Sequence, residues 1–441
     1  MSFQPKIPVL ALAVGLVGAA GLAGNLSAAP SNDLVAHEWG TFTSLQDSDG
    51  HSVEGVHHED EVLPEFVHGR NEVLATHSLT SSLLGSRSGD DPVPTPSPTP
   101  YHNPCHGKGC DWLPIAGTAL AVTQKMETPV IYFYSKTDQR VKVDVSFPGG
   151  IITQYYPNVS AFSPAIGAVR EVANGHTSWD VQISQAPLAT PAIPFGSIWA
   201  PSRQVNSSFV SFNGENEKFI FYRGLGRFDT PLTTPSTLGG GFTIQNPSNE
   251  AIPAAFLLQV TTTGGSIQRL GSVPSQGALE VKKAALDSSK LVSMDSFLTQ
   301  ASAALAESLV ASGLYQDEAL AMVNTWQKSY FRTPGLRVLY VLPREWTDRL
   351  LPLQIQPEPN QLIRTLVGRV EVMTRAEEQG LLARLETARV AGGNGQIELQ
   401  SLGRFAEAKL RRVGQVAASQ GASAELQGFV QGLLKVAVDG Q

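Results

Sequence analysis

Only two cysteines occur in 441 residues. That excludes a disulfide scaffold, an iron–sulfur protein and a four-cysteine zinc site. Charge is also scarce, at 16% of residues, with a net of −7 and no long Lys/Arg run. Both facts argue against a nucleic-acid partner. No histidine follows His176, so a Ser/His/Asp triad confined to the C-terminal region is excluded. Nucleophile and nucleotide motifs are missing as well. GSRSG (85–89) carries Arg87 at its centre and is no GxSxG elbow. RGLGRF (223–228) stops short of a dinucleotide fingerprint, and there is no phosphate loop. His37-Glu38 does not open an HExxH motif. Past the first 30 residues, no segment approaches the roughly 18 unbroken apolar residues of a membrane span, so no span is expected in the mature chain.

What is present begins with export. Residues 1–28 combine Lys6, an apolar run from Ile7 to Gly24 and small residues at Ser27 and Ala28. This is the pattern of a secretory signal with a cut near Ala28, and it predicts a periplasmic or secreted protein. Hydrophobic residues at 42% supply ample material for a core.

The charge is unevenly spread. Residues 29–110 hold 12 acids, 3 bases and eight of the nine histidines, whereas residues 111–441 hold 27 acids and 28 bases. Five prolines alternate through 92–100, marking 86–104 as an extended linker or loop. From 125 to 285 short apolar or alternating runs, such as PVIYFYS (129–135) and RVKVDVSF (140–147), are separated by turn residues. Pro148-Gly149-Gly150 predicts a hairpin between RVKVDVSF and IITQYY (151–156). After 290 the period changes to helical. Phe297 to Leu309 and Ala319 to Tyr330 form two helices, LRVLYVL and QLIRTLVGRVEVM read as strands, Thr374 and Glu377 make a capping box, and a last helical stretch covers 402–436. The expected class is α+β and multi-domain. Its parts are an acidic His-rich segment (29–85), the linker (86–104), an antiparallel β-sandwich (105–285) and a mixed α/β region (290–441).

Three stretches, HEWGTFTS (37–44), KMETPVIYFYS (125–135) and EKFIFYRGLGRF (217–228), resemble segments of a group of uncharacterised exported bacterial proteins. WQKSYFRTPGLRVLYVLP and PLQIQP are similar to that group's C-terminal part. The resemblance implies an envelope location and brings no activity.

Three constellations carry chemistry. The segment 37–69 contains His37, His51, His57, His58 and His68 with eight acids and no Lys or Arg. Imidazoles and carboxylates without a balancing cation suit a divalent metal. His37, Glu38, His57, His58 and His68 are the candidate ligands, and DSDG (47–50) reads more simply as a β-turn. Cys105 and Cys110, beside His102 and His106, form either a disulfide loop, the default for an exported chain, or a thiolate/imidazole site. Glu127 and Arg223 flank aromatic strands and are the candidate ligand clamp or rim ion pair. Metal binding therefore leads. The alternatives are a non-catalytic envelope protein that binds glycan or protein, and a carboxylate-based hydrolase.

Overall fold

The computed structural model describes residues 33–58, 63–69, 121–164 and 171–439. The expected signal segment (1–28), all of the expected linker (86–104) and Cys105 and Cys110 lie outside the described residues. In chain order the strands are β1 (Val35–Gln46), β2 (His68–Gly69), β3 (Gln124–Tyr134), β4 (Gln139–Phe147), β5 (Gly150–Tyr156), β6 (Ala161–Ser163), β7 (Gly175–Ser184), β8 (Phe209–Phe212) and β9 (Glu215–Glu217). They continue as β10 (Ile220–Gly226), β11 (Phe242–Gln245), β12 (Ile252–Val260), β13 (Gly264–Val273), β14 (Ala278–Val281), β15 (Val292–Ser293), β16 (Gly335–Val341), β17 (Leu353–Gln356) and β18 (Gln361–Val372). The helices are α1 (Met294–Ala311), α2 (Gln316–Trp326), α3 (Arg344–Leu350), α4 (Arg375–Val390), α5 (Gln396–Leu402), α6 (Ala406–Ser419) and α7 (Ala424–Asp439).

A ten-stranded sheet organises the chain, in the order β15-β13-β12-β16-β18-β1-β3-β10-β5-β2. Strand β1 sits inside it. It pairs parallel with β18 along its full length, Val35 opposite Gln361 through Gln46 opposite Val372, and antiparallel with β3. A strand covered on both faces reads as a continuous buried run, and every residue of β1 after Val35 is buried. Strands on either side of residues 285–290 are therefore neighbours in one sheet, and the described residues from Asp33 on form one compact unit.

Side chains alternate across β1. Ala36 and Phe42 join Val141, Val143, Val145, Trp179 and Val181 of the six-stranded sheet β17-β4-β7-β8-β9 in one core. Trp39 points the other way, with Tyr132, Phe221 and Phe256, onto α1 and α2 through Leu305, Met322 and Trp326. Leu45 enters a third core with Leu381, Leu385, Phe405 and Val413 of the C-terminal helices. The class is mixed, with large sheets and a helical layer. Among the described residues no helix is long and apolar enough to cross a membrane.

Two local expectations are corrected. Strands β4 and β5 do not form a hairpin: β4 pairs with β7 and β17, while β5 pairs with β10 and β2. The Pro-Gly-Gly turn passes the chain from one sheet to the other. Strand β5 is buried at all seven positions, which an edge hairpin arm would not be. The expected helix at 402–436 is three pieces, because Gly403 (φ 55°) and Gly421 (φ 65°) take left-handed conformations that end helices. The Thr374–Glu377 capping box forms as expected and starts α4.

Candidate metal centre

The five expected ligands do not share one site. His37 and Glu38 are adjacent on β1, so the pleat sends them to opposite faces of the sheet. His37 lies under α2, its Nδ1 2.8 Å from Glu318 Oε2. Glu318 also accepts from the Tyr134 hydroxyl at 2.7 Å and from the Tyr315 backbone N–H at 2.7 Å. The imidazole packs on the Tyr315 ring at 4.4 Å. Glu38 faces the six-stranded sheet. It accepts from Arg364 Nε at 2.6 Å and from the Tyr222 hydroxyl. Burial opposes the charge on Arg364, but the Glu38 carboxylate outweighs it and raises the guanidinium pKa. This buried ion pair leaves Glu38 occupied and removes it from the ligand set. His68, on the short edge strand β2, bonds Glu215 Oε1 through Nε2 at 2.7 Å.

His57 and His58 do come together. Their rings stack with centroids 4.4 Å apart and planes 22° from parallel. Both Nε2 atoms face Glu407 Oε2 on α6, at 3.6 Å for His57 and 3.0 Å for His58. One ligand atom from each of the three residues fits within a 4.8 Å span. Arg411, one helical turn after Glu407, holds the other carboxylate oxygen at 2.7 Å. Burial opposes ionisation of Glu407, but the His58 hydrogen bond, the charge of His57 and Arg411 hold its pKa at about 2. Lys125 Nζ donates to the backbone carbonyls of His57 (3.0 Å) and His58 (2.6 Å), fixing the segment that carries both imidazoles. Gly55 makes the close approach to α6 feasible. Its φ is +98°, and a Cβ there would stand 2.7 Å from Glu407 Cγ and Cδ.

The electrostatic premise needs correction. The acidic stretch lacks cations in sequence but not in space. Arg412 of α6 binds Asp47 Oδ2 at 2.9 Å, Asp49 Oδ2 at 2.7 Å and Glu378 at 2.6 Å. Asp47 also accepts the backbone N–H groups of Asp49 and His51, so DSDG is a turn. Asp47, Asp49 and His51 bring a second set of ligand atoms together. Arg412 already ion-pairs with both of its carboxylates, and the His51 side chain is 80% exposed.

The Glu127–Arg223 clamp is also revised. Glu127 is bound directly by Arg404 Nη1 at 2.7 Å, the Thr43 hydroxyl at 2.6 Å and the Tyr330 hydroxyl at 2.6 Å. Burial disfavours its charge. Arg404 first, then Lys125, Arg369 and Arg223, outweigh that and hold the Glu127 carboxyl well below the usual carboxylate range. Arg223 thus acts on Glu127 through its field among several cations. Sequence reasoning missed Glu407 and Arg404. Glu407 lies in the first turn of α6 and Arg404 in the short 3-10 turn (Gly403–Phe405) just before it, about 350 positions from the histidines, where their charges look like an ordinary solvated face.

No protein-family model matches the chain, and no curated protein matches it.

Proposed function

We propose that the protein is exported to the bacterial envelope, periplasmic or secreted, and holds one divalent cation of the zinc or copper class through His57, His58 and Glu407. The carrying observation is the convergence of two imidazole Nε2 atoms on one buried carboxylate oxygen. To bind the ion both imidazoles are neutral with the proton on Nδ1, so Nε2 gives up its proton and its hydrogen bond to the carboxylate and offers its lone pair to the metal, and the ionised carboxylate completes the set. Arg411 orients the carboxylate from behind, the part an outer hydrogen bond plays around a metal ligand. Lys125 and Arg411 make the site costly for a hard cation held by charge alone. Zinc and copper form strong bonds to imidazole and tolerate that setting. In this reading the two large sheets are a sandwich-like frame that presents the 51–58 segment to α6. The test is elemental analysis of protein purified without chelators. About one equivalent of zinc or copper in wild type, lost in His57→Ala/His58→Ala, supports the reading; metal-free wild type that takes up neither ion on addition refutes it.

A second reading, glycan binding, is favoured by one feature. Phe195 is fully exposed beside an open cleft of about 670 Å³ that is also lined by Lys328 and Ser329. Aromatic rings at polar clefts stack on apolar ligand faces. Cosedimentation with purified cell-wall glycan, abolished by Phe195→Ala, is the expected result under this reading.

A further inference from the structure

A cavity of about 210 Å³ opens where the ends of β16 and β18 meet α4, α5 and α6. Its apolar wall includes Leu336, Met373, Leu381 and Leu402, and its polar lining is Glu371, Glu377, Arg384 and Lys409. Both carboxylates are already engaged. Glu371 Oε1 accepts from Arg369 Nε at 2.8 Å and is ion-paired with Arg337, whose Nε lies 3.0 Å away. Glu377 is the capping-box residue of α4, its Oε2 accepting the Thr374 N–H at 2.8 Å and hydroxyl at 3.0 Å. Each carboxylate is thus held by protein groups through one of its oxygens.

The cations are different. Neither Lys409 nor Arg384 makes a hydrogen bond or ion pair with another described residue. Lys409 is half-buried, with its amine 6.0 Å from the Phe405 ring, and Arg384 is exposed. Counting Arg337 and Arg369, four cations surround two carboxylates. A half-buried ammonium without an acceptor carries a desolvation cost that an anion removes. The apolar wall sets the rest of the ligand. The volume accommodates roughly eight to ten non-hydrogen atoms at interior packing density.

We infer that this cavity binds a short-chain carboxylate, with its anionic head between Lys409 and Arg384 and its alkyl tail against Leu336, Met373, Leu381 and Leu402. The site is separate from the metal cluster. Lys409 follows Glu407 by two positions on α6, about 200° around the helix, so the two residues serve different faces.

The test is calorimetric titration of the full chain with hexanoate, hexanol and decanoate. Hexanoate is expected to bind, hexanol to bind at least tenfold more weakly for want of a charge, and decanoate to be excluded by length. Lys409→Met should weaken hexanoate at least tenfold while circular dichroism stays unchanged, and Lys409→Arg should restore binding. Leu402→Trp, which fills the cavity and leaves both cations in place, should abolish it; this keeps the test informative if Lys409→Met misfolds. No binding of hexanoate to wild type, or equal binding to wild type and Leu402→Trp, overturns the inference.

Discussion

His58 Nε2 lies 3.0 Å from Glu407 Oε2, across 349 positions of sequence. The contact ties the N-terminal acidic segment to the C-terminal helices. It also puts both imidazoles of the His57-His58 pair on one carboxylate oxygen. The metal proposal rests on this arrangement, and so does part of the packing between the segment and α6.

Gly55→Ala tests that geometry without touching a ligand. An added methyl would collide with the Glu407 side chain, at 2.7 Å from its Cγ and Cδ, on a backbone with φ +98°. Zinc affinity should fall at least tenfold and the melting temperature should drop. Calorimetric titration and thermal unfolding check both.

His37→Ala separates the observed site from the five-ligand set expected from sequence. His37 bonds Glu318 under α2, on a different element from Glu407. The substitution should leave metal stoichiometry unchanged and cost about 1–3 kcal/mol of stability, because it leaves a buried carboxylate short of a partner. Urea unfolding and metal analysis of the same preparation give the two readouts.

Arg364→Met should be among the most destabilising single changes. It strands the Glu38 carboxylate, which is fully buried and bound by Arg364 at 2.6 Å. Loss of one partner of such a pair costs about 3–5 kcal/mol. The double variant Glu38→Gln/Arg364→Met should recover a substantial part of that loss. Denaturant midpoints of wild type, Arg364→Met, Glu38→Gln and the double variant measure the coupling.

Glu127 gives a pH signature. Its folded pKa is depressed below the ordinary 4.5 by Arg404, Lys125, Arg369 and Arg223 acting against burial. A carboxyl with a depressed folded value contributes stability that is fully present above its unfolded pKa and lost as pH falls through the acid range toward the folded value. Wild type should therefore lose stability steadily below about pH 4.5. Glu127→Gln should be less stable at pH 7 and show a shallower acid slope. Melting temperatures between pH 7 and 3 check this.

Much of the architecture was legible from local pattern. The alternation in 140–147, the apolar runs at 336–342 and 361–373 and the Thr374–Glu377 box all correspond to elements found in the structure. What local pattern could not carry was pairing between distant segments. Nothing within Val35–Gln46 specifies that its parallel neighbour is Gln361–Val372. The same blindness misled the reading of charge. The stretch from His37 to Gly69 contains no base, yet Arg364, Arg404 and Arg412 reach its surroundings from more than 290 positions away. Of the five histidines in that stretch, only the adjacent pair His57-His58 meets a shared carboxylate, and that carboxylate comes from α6. His37 and Glu38, both in the expected ligand set, are neighbours in sequence. On a strand, adjacency guarantees that they part.

The most direct measurement is competition between the protein and a chromophoric zinc chelator at pH 7.5, run on wild type, His37→Ala, His58→Ala and Glu407→Gln. One zinc per chain is expected for wild type and His37→Ala, and loss of at least tenfold in affinity for the other two. Zinc retained equally by all four proteins, or taken up by none, would contradict the metal proposal.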